Sequence, residues 1–217
     1  TYSFGFNLLC SYNVQSTFSV YSFYHPDTTP AVIGAVMAVL VGICVMGGAK
    51  AIEKAAGILV PFMGVAYALV TLVVLVLNFQ EVPRVFEAIL ADAFNFRAIF
   101  SGIAGSCLVM GIKRGLYSNE AGVGSAPNAA AAATTTHPVK QGLVQMLSVY
   151  IDTVILCNAT AFMCLVSGVP GNADNAGALW VQTSLHKVLG DFGPLFITVS
   201  MLVFSFTTLI GNLFYVD

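Results

Sequence analysis

Charge is what this sequence has least of. Eight Lys or Arg and ten Asp or Glu in 217 residues make 8% charged, where a soluble domain carries about 25%. So little charge cannot cover a water-facing surface, and a net charge of −2 offers no basic footprint for nucleic acid. Ligand-type residues are thin as well. Cys10, Cys44, Cys107, Cys157 and Cys164 lie inside apolar runs with no CxxC spacing, and His25, His137 and His186 are scattered. This argues against a disulfide framework or a paired-ligand metal site, and the cysteines read as small apolar residues. An initiator methionine and a signal peptide are also missing: the chain starts at Thr1 and stops at Asp217 after an apolar run, as a piece of a longer polypeptide would.

Apolar residues are abundant: 58% of positions, with a mean hydropathy of +0.87. The apolar runs are long rather than alternating, which specifies membrane helices instead of barrel strands. Bounded by Pro, Gly and charge, they form six expected spans: 3–24, 31–48, 57–79, 98–112 continuing near 120–135, 141–167 and 193–215. HPDTTP at 25–30 reads as a turn and AKAIEKAA at 49–56 as a charged link. PGNADNAG at 170–177 opens a longer loop that holds Trp180 and Lys187. The amphipathic segment 80–97 suits the membrane interface. Alternating the spans puts Lys50, Lys54, Lys113, Arg114 and Lys140 on one face. The other face holds only Arg84, Arg97 and Lys187, with the acids Asp27, Glu81, Glu87, Asp92, Asp174 and Asp191. By the positive-inside rule the first face is cytoplasmic, so the first span runs outward.

The fourth span is unlike the others. AIFSGIAGSCLVMGI is short for a membrane, carries Gly102, Gly105 and Gly111, and runs into Lys113, Arg114 and then NEAGVGSAP. One reading is a broken helix, whose free N–H and C=O groups at the break would bind ions or substrate. The other is a short helix followed by a cytoplasmic loop and a surface helix. The GxxG spacing also serves plain helix packing.

The segment GIKRGLYSNEAGVGSAPNAAAAATTTHPVKQGLVQMLSVYIDT, residues 111–153, closely resembles the sodium:alanine (alanine or glycine:cation) symporter family of bacteria and archaea. Gly47 to Ile52, the run holding Pro61 and Tyr67, and FSFTTLIG near the end agree with it, so the likeness covers essentially the whole chain. The resemblance implies an all-α integral membrane protein with the leucine-transporter-like fold of two five-helix inverted repeats. On that template residues 1–217 are a partial transmembrane transporter domain holding core helices three to eight, with the first two and last two core helices absent. It also implies Na⁺-coupled symport of a small neutral amino acid, alanine or glycine, by alternating access. That function has no covalent chemistry, no organic cofactor and no obligate protein partner; its ligands are the amino acid, Na⁺ and the lipid of a bacterial inner or plasma membrane.

Site residues carry over by position. Gln15, in NVQSTFSV, matches a Gln that the family uses to hold the amino acid; the alternative is an amide tying two helices together. Thr208 matches a Thr beside the substrate, and Gly105, in the fourth span, is a further candidate for substrate binding. Ser205 and Thr207 are candidate Na⁺ ligands, or hydroxyls bonded to their own helix. Asn212 stands where many relatives have a Trp that walls the pocket. One turn from Thr208, it would enlarge or polarise the pocket, which leaves glycine or a larger neutral amino acid open beside alanine.

Asp152, in SVYIDTVIL, lies mid-span, where a carboxylate is costly unless paired or hydrated. It either takes a proton or Na⁺ or accepts hydrogen bonds from the broken helix. Glu120 with Arg114 would form an inner gate; alternatively Ser118 or Asn119 with Glu120 opens a helix as a cap. His137, before Pro138, is a boundary residue. Other classes fit worse. A membrane enzyme needs a nucleophile with a base, which Ser118, Glu120 and His137 do not arrange, and a channel needs a filter motif that is not visible.

Overall fold

The structure is a computed structural model that describes residues 2–94, 102–120, 122, 124–172 and 175–214. Arg97, Asp174 and the 98–101 start of the fourth expected span lie outside the described residues, as do the side chains of Asp92 and Cys107. Every element among the described residues is helical. They are α1 (Tyr2–Phe18), α2 (Thr29–Met46), α3 (Ala49–Leu77), α4 (Val82–Ala93), α5 (Gly102–Ser118), α6 (Ser125–Ala132), α7 (Pro138–Tyr150), a π-helical turn (Ile151–Cys157), α8 (Asn158–Ser167), α9 (Ala178–Leu189) and α10 (Phe192–Phe214).

Among the described residues four helical stretches are long and apolar enough to cross a membrane: α2, α3, the continuous 30-residue run Pro138–Ser167, and α10. Their apolar outer faces, such as Ile43, Val65, Leu69 and Val199, are exposed, as lipid-facing surface is. The chain is thus a multi-pass membrane protein. In the first and fourth expected spans the described residues form α1 and α5, with 17 helical residues described in each.

Helix boundaries differ from the expectation at three places, each for a local reason. Residues 49–56 are not a link: α3 starts at Ala49 straight after Gly48, whose φ of 74° makes the turn that a residue with a Cβ resists. Trp180 and Lys187 are not in a loop: ALWVQTSLHKVL folds as α9 between Gly177 and Gly190, both at positive φ, so glycines punctuate both ends. Asp152 is not in a plain α-helix but in the π-helical turn. That turn leaves carbonyls of the ordinary ladder over, and Asn158 Nδ2 donates to two of them, Thr153 O at 3.3 Å and Val154 O at 3.0 Å. The amphipathic segment forms α4 as expected, set on α8 through Phe86 and Phe162, whose rings are 5.0 Å apart.

Helix α10 is the hub, packed on α1, α2, α3 and α9. Its Ile197 joins Tyr67, Val74, Met163 and Leu185 in one buried cluster, and Leu209 and Ile210 join Met37, Val41 and Ile52 in another. Its closest approach is to α9: a Cβ on Gly193 would meet the Leu185 carbonyl carbon at 2.5 Å, so only glycine allows this crossing. Helix α1 runs antiparallel to α10. Asn7 meets Asn212, Cys10 meets Ser205, and Thr17 lies level with Thr198 through the amide of Gln182.

Candidate functional site

The polar segment after α5 interrupts the helical run before α6, which both a broken helix and a short helix with a loop and a surface helix would show. Ser118 ends α5, and the chain turns through Glu120 at φ 51°, Gly122 at 79° and Gly124 at 94° before α6 begins at Ser125. Positive φ is strained for a residue with a Cβ, so Glu120 is held there by its surroundings. Its carboxylate accepts from Ser125 Oγ at the first residue of α6. Ser118 and Asn119 are not helix caps, because the residue flanking α6 is Gly124 and it offers no side chain. Ser118 Oγ instead donates to Asp152 Oδ2 at 2.5 Å, and Thr153 Oγ1 donates to Asn119 Oδ1 at 2.7 Å. These two bonds, in consecutive register, tie the break to the π turn.

Arg114 is exposed on α5 and forms no ion pair with Glu120. Among the described residues the ion pairs are Arg84 with Glu81 and His186 with Asp191. The Glu120–Arg114 pair expected from the sequence is therefore not formed in this structure.

Glu120 reaches the hub helix. A cavity of about 230 Å³ is lined by Val60, Glu120, Thr207, Thr208, Gly211 and Asn212. The break thus meets the face of α10 that the sequence singled out. Thr207 and Thr208 both donate to Phe204 O, at 2.9 and 2.8 Å. A hydroxyl whose proton is committed to the backbone keeps its lone pairs, so each presents an acceptor to a cation or an ammonium group. Ser205 is buried towards α1, with Cys10 O at 3.5 Å, and does not line this cavity. Asn212 is 3% exposed and its Nδ2 donates to Asn7 Oδ1 at 2.9 Å, which fixes the direction of its amide.

Gln15 is placed elsewhere. It accepts from the Tyr24 hydroxyl at 2.7 Å, and the α1/α10 register leaves it about 10 Å along the bundle axis from Thr208. Gly105 lies on α5, 13 residues before Ser118, about 20 Å along the helix axis from the break. Gln15 does not line the Thr208 cavity. His137 flanks α7 and accepts from Val139 N–H through Nδ1 at 3.2 Å, a boundary role.

Several polar residues that the sequence reading passed over hold this site in place. Asn7 orients Asn212. The buried Gln182 of α9 donates from Nε2 to Thr17 O and Thr198 Oγ1, both at 2.9 Å, and Tyr21 OH meets the same Thr198 at 3.0 Å. Tyr67 OH and Thr160 Oγ1 pair at 2.7 Å between α3 and α8. The available signal was a polar side chain inside an apolar helix, which in membranes bonds across a helix interface.

Comparison with known proteins agrees with this architecture. The profile described as the sodium:alanine symporter family matches residues 1–217. The chain is 40% identical over 189 residues to the sodium/alanine symporter AgcS of Methanococcus maripaludis, covering 86% of this chain and 42% of that protein. It is 40% identical over 184 residues to the amino-acid carrier protein AlsT of Bacillus subtilis, covering 85% and 39%. It is 38% identical over 192 residues to a sodium/proton-dependent alanine carrier protein of Bacillus sp. strain PS3, covering 82% and 43%. The chain therefore spans about two fifths of the length of these relatives. A match along all 217 residues, carried by helices built to cross a bilayer, means that the chain belongs to the sodium:alanine symporter family.

Proposed function

We propose that this chain works as part of a secondary transporter that couples the entry of a small neutral amino acid to Na⁺ by alternating access, with no covalent step. The observation that carries this reading is the cavity where the broken helix meets α10, because it combines an acid, two hydroxyl acceptors and a fixed amide. Glu120 and Thr207 are the groups there that suit Na⁺, with Ser205 on the α1 side of the same helix as a further candidate ligand. Thr208 and Asn212 suit the polar ends of an amino acid, the hydroxyl accepting from its ammonium and the amide able to donate to its carboxylate. Na⁺ bound beside the substrate raises the affinity for it, and the inward Na⁺ gradient then drives release inside.

The same reading takes the described helices as core helices three to eight of a five-plus-five inverted repeat. Helices α1 and α5 then count as the first and fourth of six spans, and α9 caps the bundle. A break at SNEAGVG and an ion-binding face on α10 are the features that such a repeat needs near the membrane midplane. Gln15 and Gly105 then serve the substrate only if helices beyond this chain bridge the distance to Thr208.

The test is uptake of labelled alanine and glycine by the parent protein in proteoliposomes, with and without an inward Na⁺ gradient. Accumulation that requires Na⁺ is expected; uptake indifferent to Na⁺ removes the coupling.

A further inference from the structure

Asp152 stands at the midpoint of the longest apolar run. The span Pro138–Ser167 places 14 residues before it and 15 after it, about 20 Å of helix in each direction. Asp152 lines two cavities. One, of about 450 Å³, is lined on this helix also by Gln145, Met146, Ser148 and Val149, which precede Asp152. The other, of about 420 Å³, is lined on this helix also by Leu156, Cys157 and Thr160, which follow it. Among the described residues Asp152 alone lines both, so it stands between a space towards one end of the span and a space towards the other.

The surroundings fit a proton carrier. Neither cavity lining holds a Lys or Arg among the described residues, so no basic side chain there pairs with the carboxyl and water or a mobile cation has access to it. The titratable groups facing Asp152 are Glu120 from the helix break, Tyr67 from α3 and Cys157 on its own turn; α1, α9 and α10 present only neutral residues. Oδ2 accepts from Ser118 at 2.5 Å, while Oδ1 has no hydrogen-bond partner among the described residues and is open to a proton. The π turn that carries the carboxyl is a helix defect of the kind that recurs at functional sites.

We infer that Asp152 is a proton-exchange point: Oδ1 takes a proton from hydronium in one cavity, releasing water, and returns it to water in the other. This rests on the transport reading above and adds a proton step at a residue away from the Thr208 cavity. Ser118 stays bonded to Oδ2 in both states, so protonation changes the charge at the junction without undoing the tie to the broken helix.

The experiment uses the parent protein in proteoliposomes, with alanine uptake driven by Na⁺ measured from pH 5 to 8 for the wild type, D152N and D152E. Expected is a pH-dependent wild-type profile that becomes flat in D152N, while alanine binding by D152N in detergent stays within about twofold. A D152N profile that keeps the wild-type pH dependence overturns the proposal. If D152N does not insert, D152E decides: moving the carboxyl by one methylene should shift the midpoint, and an unshifted midpoint overturns the proposal. A wild type that takes up no amino acid under either gradient refutes instead the transport reading itself.

Discussion

Replacing Gly193 by Ala tests the hub directly. The new Cβ would stand 2.5 Å from the Leu185 carbonyl carbon, 2.6 Å from its oxygen and 2.7 Å from its Cβ. Carbon atoms in contact prefer about 3.5–4.0 Å, so α9 and α10 must part by roughly 1 Å. A side chain could rotate away, but two of these three atoms are backbone and cannot. Overpacking costs about 1–3 kcal/mol, and a rigid neighbour puts this case at the upper end, near ~3 kcal/mol. That lowers the folded-to-unfolded ratio on the order of a hundredfold. The separation would also pull Gln182 from Thr198 and Pro194, since those bonds cross the same contact. The assay is denaturation of the detergent-solubilised parent protein, with Gly34→Ala as the control. Gly34 is an exposed glycine of α2 with nothing within 4 Å of its added Cβ, and Ala there should be neutral or stabilising by about 0.5–1 kcal/mol. If Gly193→Ala melts like Gly34→Ala, the close crossing is wrong, and with it the placement of the α10 face that carries Thr208.

Two further substitutions probe the site. Glu120→Gln keeps an oxygen that can accept from Ser125, so α6 and overall stability should persist; the half-saturating Na⁺ concentration should rise about tenfold or more in uptake assays, and unchanged Na⁺ dependence removes Glu120 from the ion site. Gln15→Ala deletes the acceptor of the Tyr24 hydroxyl, a half-buried bond whose loss should cost about 1 kcal/mol. A fall in amino-acid affinity well beyond that small stability loss places Gln15 at the substrate, and unchanged affinity leaves it a tie between α1 and the turn that follows.

Much of the architecture was readable from composition and run length. Long apolar runs marked α2, 138–167 and α10 within a few residues, and α3 apart from its first eight residues, which read as a charged link, because bilayer thickness acts on length alone. The helix break was readable because Gly122 and Gly124 follow a short apolar run, and helices end where residues tolerate positive φ. Helix α9 was missed because 12 residues are too few to span, and length was the criterion. The glycines at its two ends were the usable signal. The π turn was invisible: IDTVILC is an ordinary apolar heptad, and the defect arises from which carbonyls Asn158 and the neighbouring helices satisfy.

The sequence by itself determined a polytopic helical membrane protein, its family fingerprint at residues 111–153, and the cost of an acid at Asp152. These follow from hydropathy and residue identity, which need no neighbours. Which polar groups meet was decided only by the tertiary structure. Glu120 joins Thr207, Thr208 and Asn212 across a separation of some ninety residues, Asn7 pairs with Asn212, and Gln15 is left about two turns away. The reason is geometric. The antiparallel register of α1 on α10, set by packing at the helix surfaces, determines which face and level each side chain reaches, and no local pattern encodes that register.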